Sequence, residues 1–320
     1  MKKLFGIVAL AAGLLMAGSC QKESSKSGDP ETVQMAFRVE IPSEAVTRGV
    51  SDAENVDVVY YEVWNETFDE LLFPYPGSAE NSAEVSDCVA EIMIDLVKDQ
   101  KFQLVFWAQN SSCNAYSWTD LKAIDVDYSK FTADQKDIYD AFYAVLPDVE
   151  GDGTAKSVYL YRPFAQVNFC ASSLSTSTLG DITLSGNTVT VSEVATRFNT
   201  RTGLGEVPVQ DKSFSTEAAL VEDQTIEVGG TDFHWVAMNY LLVPCPSADK
   251  PAVNVTVTGK FLTNFGTVIQ SVPNVPIQRN YRTNIVGDLF TAGANLRIEV
   301  IPGFTGDKPT IEVNNQTINN

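Results

Sequence analysis

Thr32-Val33-Gln34-Met35-Ala36-Phe37-Arg38-Val39-Glu40-Ile41 places an apolar side chain at every second position from Val33 to Ile41, with Gln34, Arg38 and Glu40 between them. A period of two is the mark of a β-strand with one face buried and the other in water. Pro42 lacks the amide hydrogen that would continue a ladder, so the strand stops there. Residues 43–52 are small and polar and contain Thr47-Arg48-Gly49, the composition of an exposed loop in which a protease can reach Arg48.

Upstream of this strand, residues 24–30 carry almost no apolar side chain and are expected to act as a tether. The chain opens with Lys2 and Lys3, an apolar run over 4–16 that is too short to span a bilayer, and the small residues Ala17-Gly18-Ser19 before Cys20. That is a secretory signal over 1–20. Its end on a cysteine resembles the lipobox of bacterial lipoproteins, in which the thiol is acylated and the peptide is cut just before it. Ala17 and Ser19 depart from the residues usual there. Gln21-Lys22-Glu23 is similar to the signal that sends Bacteroidetes lipoproteins to the outer face. No later run is long and apolar enough to cross a membrane, so acyl chains on Cys20 are the expected anchor.

Downstream, strand patterns are read over 56–64, 89–96 and 102–108, separated by turn-rich stretches such as Pro74-Tyr75-Pro76-Gly77. Thr132 and Gln135 resemble a capping box, and Ile138, Phe142 and Leu146 recur at helical spacing before Pro147, which predicts one short helix. The Gly- and acid-rich stretch 148–156 reads as a link and the domain boundary. Residues 157–171 alternate, with a break at Pro163. Further strands are expected over 182–191, 224–228, 234–242, 253–261, 268–272, 283–290 and 296–300, and Ile311 and Val313 alternate near the C-terminus. Many short strands with turns between them predict an all-β protein of packed sandwiches. The expected division is a signal over 1–20, a tether and first strand over 21–48, and domains over 49–156 and 157–320.

The 320 residues suffice for two cores, and 44% hydrophobic content with 10% aromatics is that of a globular chain. A formal charge of −19 argues against nucleic acid or an anionic membrane surface as partner. His234, the single histidine, lies in the aromatic stretch Phe233-His234-Trp235, and no glycine-framed nucleophile accompanies it. One imidazole also cannot supply the usual histidine ligand set, so neither a hydrolase triad nor a metal site is expected, and no cofactor is implied. Asp148-Val149-Glu150-Gly151-Asp152-Gly153 imitates half of a calcium loop, but Tyr159 stands where a bidentate glutamate belongs. Gly203-Leu204-Gly205 lacks the third glycine of a nucleotide loop, Pro208 taking its place. Trp64 and the Tyr116-Ser117-Trp118 group have the stacking chemistry of sugar sites, although burial trends favour core roles. Cys88, Cys113, Cys170 and Cys245 leave both disulfides and buried thiols open.

The lipobox, the loop with Arg48 and Gly49 after an alternating strand, and two strings together resemble the fimbrillin family of Bacteroidetes. The strings are Tyr161-Arg162-Pro163-Phe164-Ala165-Gln166-Val167 and Asn280-Tyr281-Arg282-Thr283-Asn284-Ile285-Val286-Gly287. The resemblance implies a surface lipoprotein with two transthyretin-like β-sandwich domains in tandem. It further implies that an arginine-specific protease cuts between Arg48 and Gly49 and removes the strand bearing Val33, Met35, Phe37, Val39 and Ile41. A terminal strand of another subunit then refills the groove and builds a fimbria, held by the lipid anchor to the outer membrane before cleavage. Leu296, Ile298 and Val300, or Ile311 and Val313, have the alternation a donor strand needs, and sequence does not choose between them. The alternative reading is a monomeric surface lipoprotein that keeps its first strand and binds a glycan or a host protein.

Overall fold

Alternation over the first strand is matched along almost the whole chain by short, β-branched and aromatic runs, and the resulting fold is built from sheets. The computed structural model describes residues 30–41, 53, 55–73, 81–131, 138–176, 180–216, 225–228, 230–244, 252–291 and 294–302. Met1–Glu31 forms one unit of the chain, and every strand belongs to the other, Thr32–Asn320.

From the N-terminus the strands are β1 (Thr32–Glu40), β2 (Val58–Asn65), β3 (Leu71–Phe73), β4 (Ser82–Glu84), β5 (Val89–Val97) and β6 (Lys101–Gln109). Short β7 (Tyr116–Ser117) and β8 (Ala123–Val126) lead through a 3-10 turn at Tyr128–Lys130 to β9 (Ala141–Glu150) and β10 (Lys156–Tyr159). Then come β11 (Phe164–Ala171), β12 (Ser175–Thr176), β13 (Gly180–Asp181), and the long β14 (Leu184–Asn199) and β15 (Leu204–Thr216). The chain continues through β16 (Thr225–Val228), β17 (Thr231–Leu242), β18 (Ala252–Thr263), β19 (Gly266–Gln278), β20 (Tyr281–Gly287) and β21 (Arg297–Pro302).

The expected short helix does not run through Phe142 and Leu146: Ile138 and Tyr139 have 3-10 geometry, and the chain then turns into a strand. Phe142 and Leu146 lie on strand β9, paired with Ala108 and Leu104 of β6, while Thr132 and Gln135 are outside the described residues. A spacing of four is also an even number, so the same side chains share one face of a strand.

Two hydrophobic cores result. The sheet β10-β1-β5 faces the sheet β3-β2-β6-β9 across the first core, which contains Met35, Phe37, Ile92, Leu104, Phe106 and Phe142. Along β6, Leu104, Phe106 and Ala108 point into this core, whereas Val105 and Trp107 point the other way into the second. The middle sheet is therefore buried on both faces, which explains why β6 reads as a nearly continuous apolar run. The second core is enclosed by a larger sheet in the order β19-β18-β14-β17-β11-β20-β21, which folds over itself so that Phe169 of β11 meets Phe261 of β18 with ring centroids 5.4 Å apart. Strand β10 straddles residues 156 and 157, and its Val158 packs in the first core.

The two strings that carry the family resemblance meet in this sheet. Phe164–Ala171 and Tyr281–Gly287 pair in parallel, with Gln166 beside Arg282 and Asn168 beside Asn284. Asn168 Nδ2 donates to Asn284 Oδ1 at 2.8 Å and to Gln166 Oε1 at 3.0 Å, which links three buried polar side chains in one row. Asn280 turns the chain into β20 with φ of +63°, a left-handed conformation that asparagine tolerates better than most residues.

Arg162 of the first string reaches Asp140 with its Nε at 2.6 Å from Oδ1 and its Nη2 on the other oxygen, and both side chains are at most 2% exposed. The guanidinium also lies over the Phe142 ring. Removing one partner of a buried pair leaves an uncompensated charge, at a cost of about 3–5 kcal/mol. Asp140→Ala is therefore expected to lower the unfolding free energy by that order in denaturant titration.

Candidate functional site

The site is the groove that β1 fills. β1 is the middle strand of its sheet: it pairs antiparallel with β5 from Thr32 opposite Val97 to Glu40 opposite Val89, and parallel with β10 from Phe37 beside Lys156 to Glu40 beside Tyr159. Both backbone edges are thus used over Phe37–Glu40, and the β5 edge alone over Thr32–Ala36. At the C-terminal end of β1, the Ile41 amide donates to the Cys88 carbonyl at 2.9 Å, and the Leu160 amide donates to the Glu40 carbonyl at 3.0 Å.

The inward side chains behave as the sequence predicts. Met35, Phe37 and Val39 are fully buried, Ile41 is 3% exposed, and Val33 at the open end is half-buried. Ile92, Ile94 and Leu96 of β5 and Val158 of β10 wall the groove, and Phe106 forms its floor, 6.2 Å from Phe37 between ring centroids. Each such buried side chain contributes roughly 1.5–3 kcal/mol by leaving water. The outward face is polar: Arg38 donates from Nε to Glu40 and from Nη1 to Glu91, both at 2.9 Å, and Gln34 donates to Asp95. The Arg38 guanidinium is stabilised in its charged form chiefly by the hydrogen bonds to Glu40 and Glu91. Nothing in the sequence singles out Glu91, because strand partners are set by non-local pairing; its opposite charge to Arg38 is a signal only once the register is known.

Among the proposed donor residues, Leu296 precedes β21, and Ile298 and Val300 lie on it; among the described strands β21 pairs with β20 alone, at the edge of the larger sheet. Leu296 and Ile298 pack against the second core, and Val300 is 37% exposed. Cys20, Arg48, Gly49, Ile311, Val313 and Cys245 lie outside the described residues. Among the described residues Cys113 and Cys170 are free thiols, and burial raises the pKa of both.

The other candidates are dispersed. Asp148 and Glu150 lie on β9, while Asp152 turns its carboxylate to the Thr154 amide and hydroxyl, so the acids of the calcium-like stretch do not converge. Among the described residues no cluster of three His, Cys, Asp or Glu side chains is placed to hold a metal ion. No helix there is long and apolar enough to cross a membrane. Trp64 and Tyr116 are core residues, and Trp118 packs edge-on against Tyr60. Trp64 is covered by Lys122, whose Nζ lies 3.5 Å from its ring centre.

Beside Trp64, Glu62 is only 3% exposed and accepts from Trp64 Nε1 at 3.1 Å and the Leu121 amide at 2.9 Å. Loss of hydration dominates these contacts and pushes its carboxyl up to about 7.

The sequence matches the model of a family described as a family of unknown function (DUF6562) over residues 26–319, and the chain belongs to that family. No protein of curated function matches. Among solved structures, a candidate cell adhesion protein from Bacteroides ovatus is similar at 13% identity and a TM-score of 0.50, over 88% of this chain and 100% of that one. A candidate cell adhesion protein from Parabacteroides distasonis is 14% identical at a TM-score of 0.48, over 86% of this chain and 98% of that one. The tip fimbrial protein Mfa3 from Porphyromonas gingivalis is 10% identical at 0.47, over 85% of this chain and 100% of that one. At such identities the likeness is one of fold, and of these three the Bacteroides ovatus structure bears on it.

Two outcomes are expected. Phe37→Ala empties the centre of the groove and costs about 3–5 kcal/mol in denaturant unfolding, whereas Arg38→Ala, whose ion pairs stand in water, stays near the parent. Glu62 holds its proton more tightly folded than unfolded, so its stabilising effect is complete below about pH 4.5 and is lost as pH rises through about 7. The loss is at most about 3 kcal/mol, and Glu62→Gln is expected to flatten that part of the stability profile.

Proposed function

We propose that this chain is a structural subunit of a cell-surface fimbria with a role in adhesion, polymerising by donor-strand exchange after proteolysis removes its first strand. One observation carries the reading. β1 is the first of the described strands, fills a groove between two others, and is followed by the stretch that contains Arg48, through which the chain runs on to the other strands. Hydrolysis of the Arg48–Gly49 peptide bond would leave β1 held by non-covalent contacts alone. Its departure would open an apolar groove with two unpaired backbone edges, which a strand of suitable alternation can refill.

The fold shared with a candidate cell adhesion protein supports the same reading, as does the resemblance of residues 161–167 and 280–287 to fimbrillins. In this scheme acylated Cys20 holds the precursor at the outer membrane facing outward, and the body consists of two sandwiches in tandem. The partners are further copies of this chain or related subunits.

The N-terminus of the protein recovered from the cell surface tests this directly. Intact-mass measurement is expected to find a chain beginning at Gly49, and Arg48→Ala is expected to leave the strand attached and to abolish polymer. An acylated Cys20 still joined to β1 in the wild-type surface protein would overturn the reading in favour of a monomeric binding lipoprotein.

A further inference from the structure

Strand β21 with the two residues before it repeats the chemistry of the strand that the groove is built around. Phe37-Arg38-Val39-Glu40-Ile41 and Leu296-Arg297-Ile298-Glu299-Val300 share the order apolar, arginine, β-branched, glutamate, β-branched, in the same chain direction. From this match we infer that the donor strand is residues 294–300 of a second copy of the chain, seated with Leu296 at the place of Phe37, Ile298 at Val39 and Val300 at Ile41. The inference rests on the strand-exchange reading and adds to it the identity and register of the donor.

The groove favours this register over its neighbours. Leu296, Ile298 and Val300 meet three of the apolar sites, and Ala294 takes the Met35 site. Arg297 then stands opposite Glu91, as Arg38 does in the resident strand. Sliding the donor so that Leu296 occupies the Met35 site would instead set Glu299 opposite Glu91, a like-charge pair. Sliding it the other way would leave alanines at the Met35 and Phe37 sites and much of the groove unfilled.

The competing segment around Ile311 and Val313 fits less well in every register. With Ile311 at the Val39 site, Asp307 falls at the Met35 site and Pro309 at the Phe37 site, burying a carboxylate and deleting a ladder donor. Advancing it by two residues puts Asn315 at the Ile41 site, and by four puts Asn315 and Thr317 at the inner positions.

The resident position of β21 is also the less protective one. Among the described strands it is an edge strand paired only with β20, with Val300 37% exposed, whereas the corresponding Ile41 is 3% exposed. Glu299 Oε2 is buried there without a hydrogen-bond partner among the described residues, whereas the corresponding Glu40 accepts from Arg38. Transfer to the groove thus buries Val300 and returns a carboxylate to water, while it uncovers the β20 edge and the part of the second core under Leu296 and Ile298. Against this, the Arg297 guanidinium must leave the face of the Phe233 ring. Upstream, Gln270 donates to the carbonyls of Leu289 and Thr291, which anchors the chain as far as Thr291.

The test traps the register with a disulfide. Full-length chain carrying a site-specific protease sequence at residues 46–49 is made with Glu91→Cys and Arg297→Cys, and separately with Glu91→Cys and Thr310→Cys. Each is cleaved, oxidised and run without reductant beside the single-cysteine controls. Directly opposed strand residues lie within disulfide reach, so the expected result is a covalent ladder of polymer for the 91/297 pair alone. A ladder for 91/310, or polymer in light scattering with neither pair linked, would overturn this donor while leaving strand exchange standing. Absence of polymer after complete cleavage would overturn both.

Discussion

A strand in the middle of a sheet uses both of its backbone edges and one whole face, and the neighbours of such a strand are complete only while it is there. β1 occupies that position between β5 and β10, with Met35, Phe37 and Val39 sealed beneath it. Backbone groups cut off from water are costly when unpaired, and an open apolar groove adds the exposure of its walls. The first sandwich is therefore a two-component structure in energetic terms: a body that cannot rest with its groove empty, and a strand whose only covalent tie runs through residues 42–52. Under the proposed exchange, the affinity for an incoming strand would draw on the same contacts that stabilise the sandwich.

The proposed exchange requires the floor of the groove to keep its shape while the strand changes. The floor belongs to the sheet β3-β2-β6-β9, whose far face is packed into the second core through Val105, Trp107 and Tyr143. Trp107 is held by its Nε1 donation to Gln109 at 2.8 Å and by an edge-on contact with Tyr116. The Asp140–Arg162 pair ties the start of β9 to the segment leading out of β10, the strand that forms one wall of the groove. A sheet clamped from behind is a template in a way that a sheet with a solvent-facing back is not, and the energy that clamps it comes from residues that never meet the exchanged strand.

Much of this is legible in the chain itself where the information is local. The inner residues of β1 follow from a clean period of two, and the strong strands β5, β6, β17 and β18 from their composition. Local reading fails where one spacing serves two structures, as at Phe142 and Leu146, and where turn residues sit inside a strand. β15 begins at Leu204 between two glycines, which hide its start. The alternation of β14 stops near Val191 but the strand runs on to Asn199, because a bulge between Val191 and Val194, with Glu193 at φ of +55°, interrupts the pattern without ending the strand. Partner choice is not legible at all: nothing in the order of residues says that β1 lies between β5 and β10, or that the strings at 161–167 and 280–287 meet side by side.

The fold repeats its own plan, and the difference between the copies says why the groove belongs to one of them. β11, like β1, lies between an antiparallel neighbour, β17, and a parallel one, β20. The same geometric position thus occurs twice, with the parallel partner supplied from the far end of the segment each time. β11, however, is continuous with the chain at both ends and buried on both faces along its whole length, so no single cut releases it and no alternating strand could replace it. β1 has one buried face, one wet face bearing Arg38 and Glu40, and one covalent neighbour within the fold. Those three properties, rather than strand pairing as such, set β1 apart from β11, and under the proposed exchange an incoming strand would have to match them with apolar side chains on one face and an arginine and a glutamate on the other.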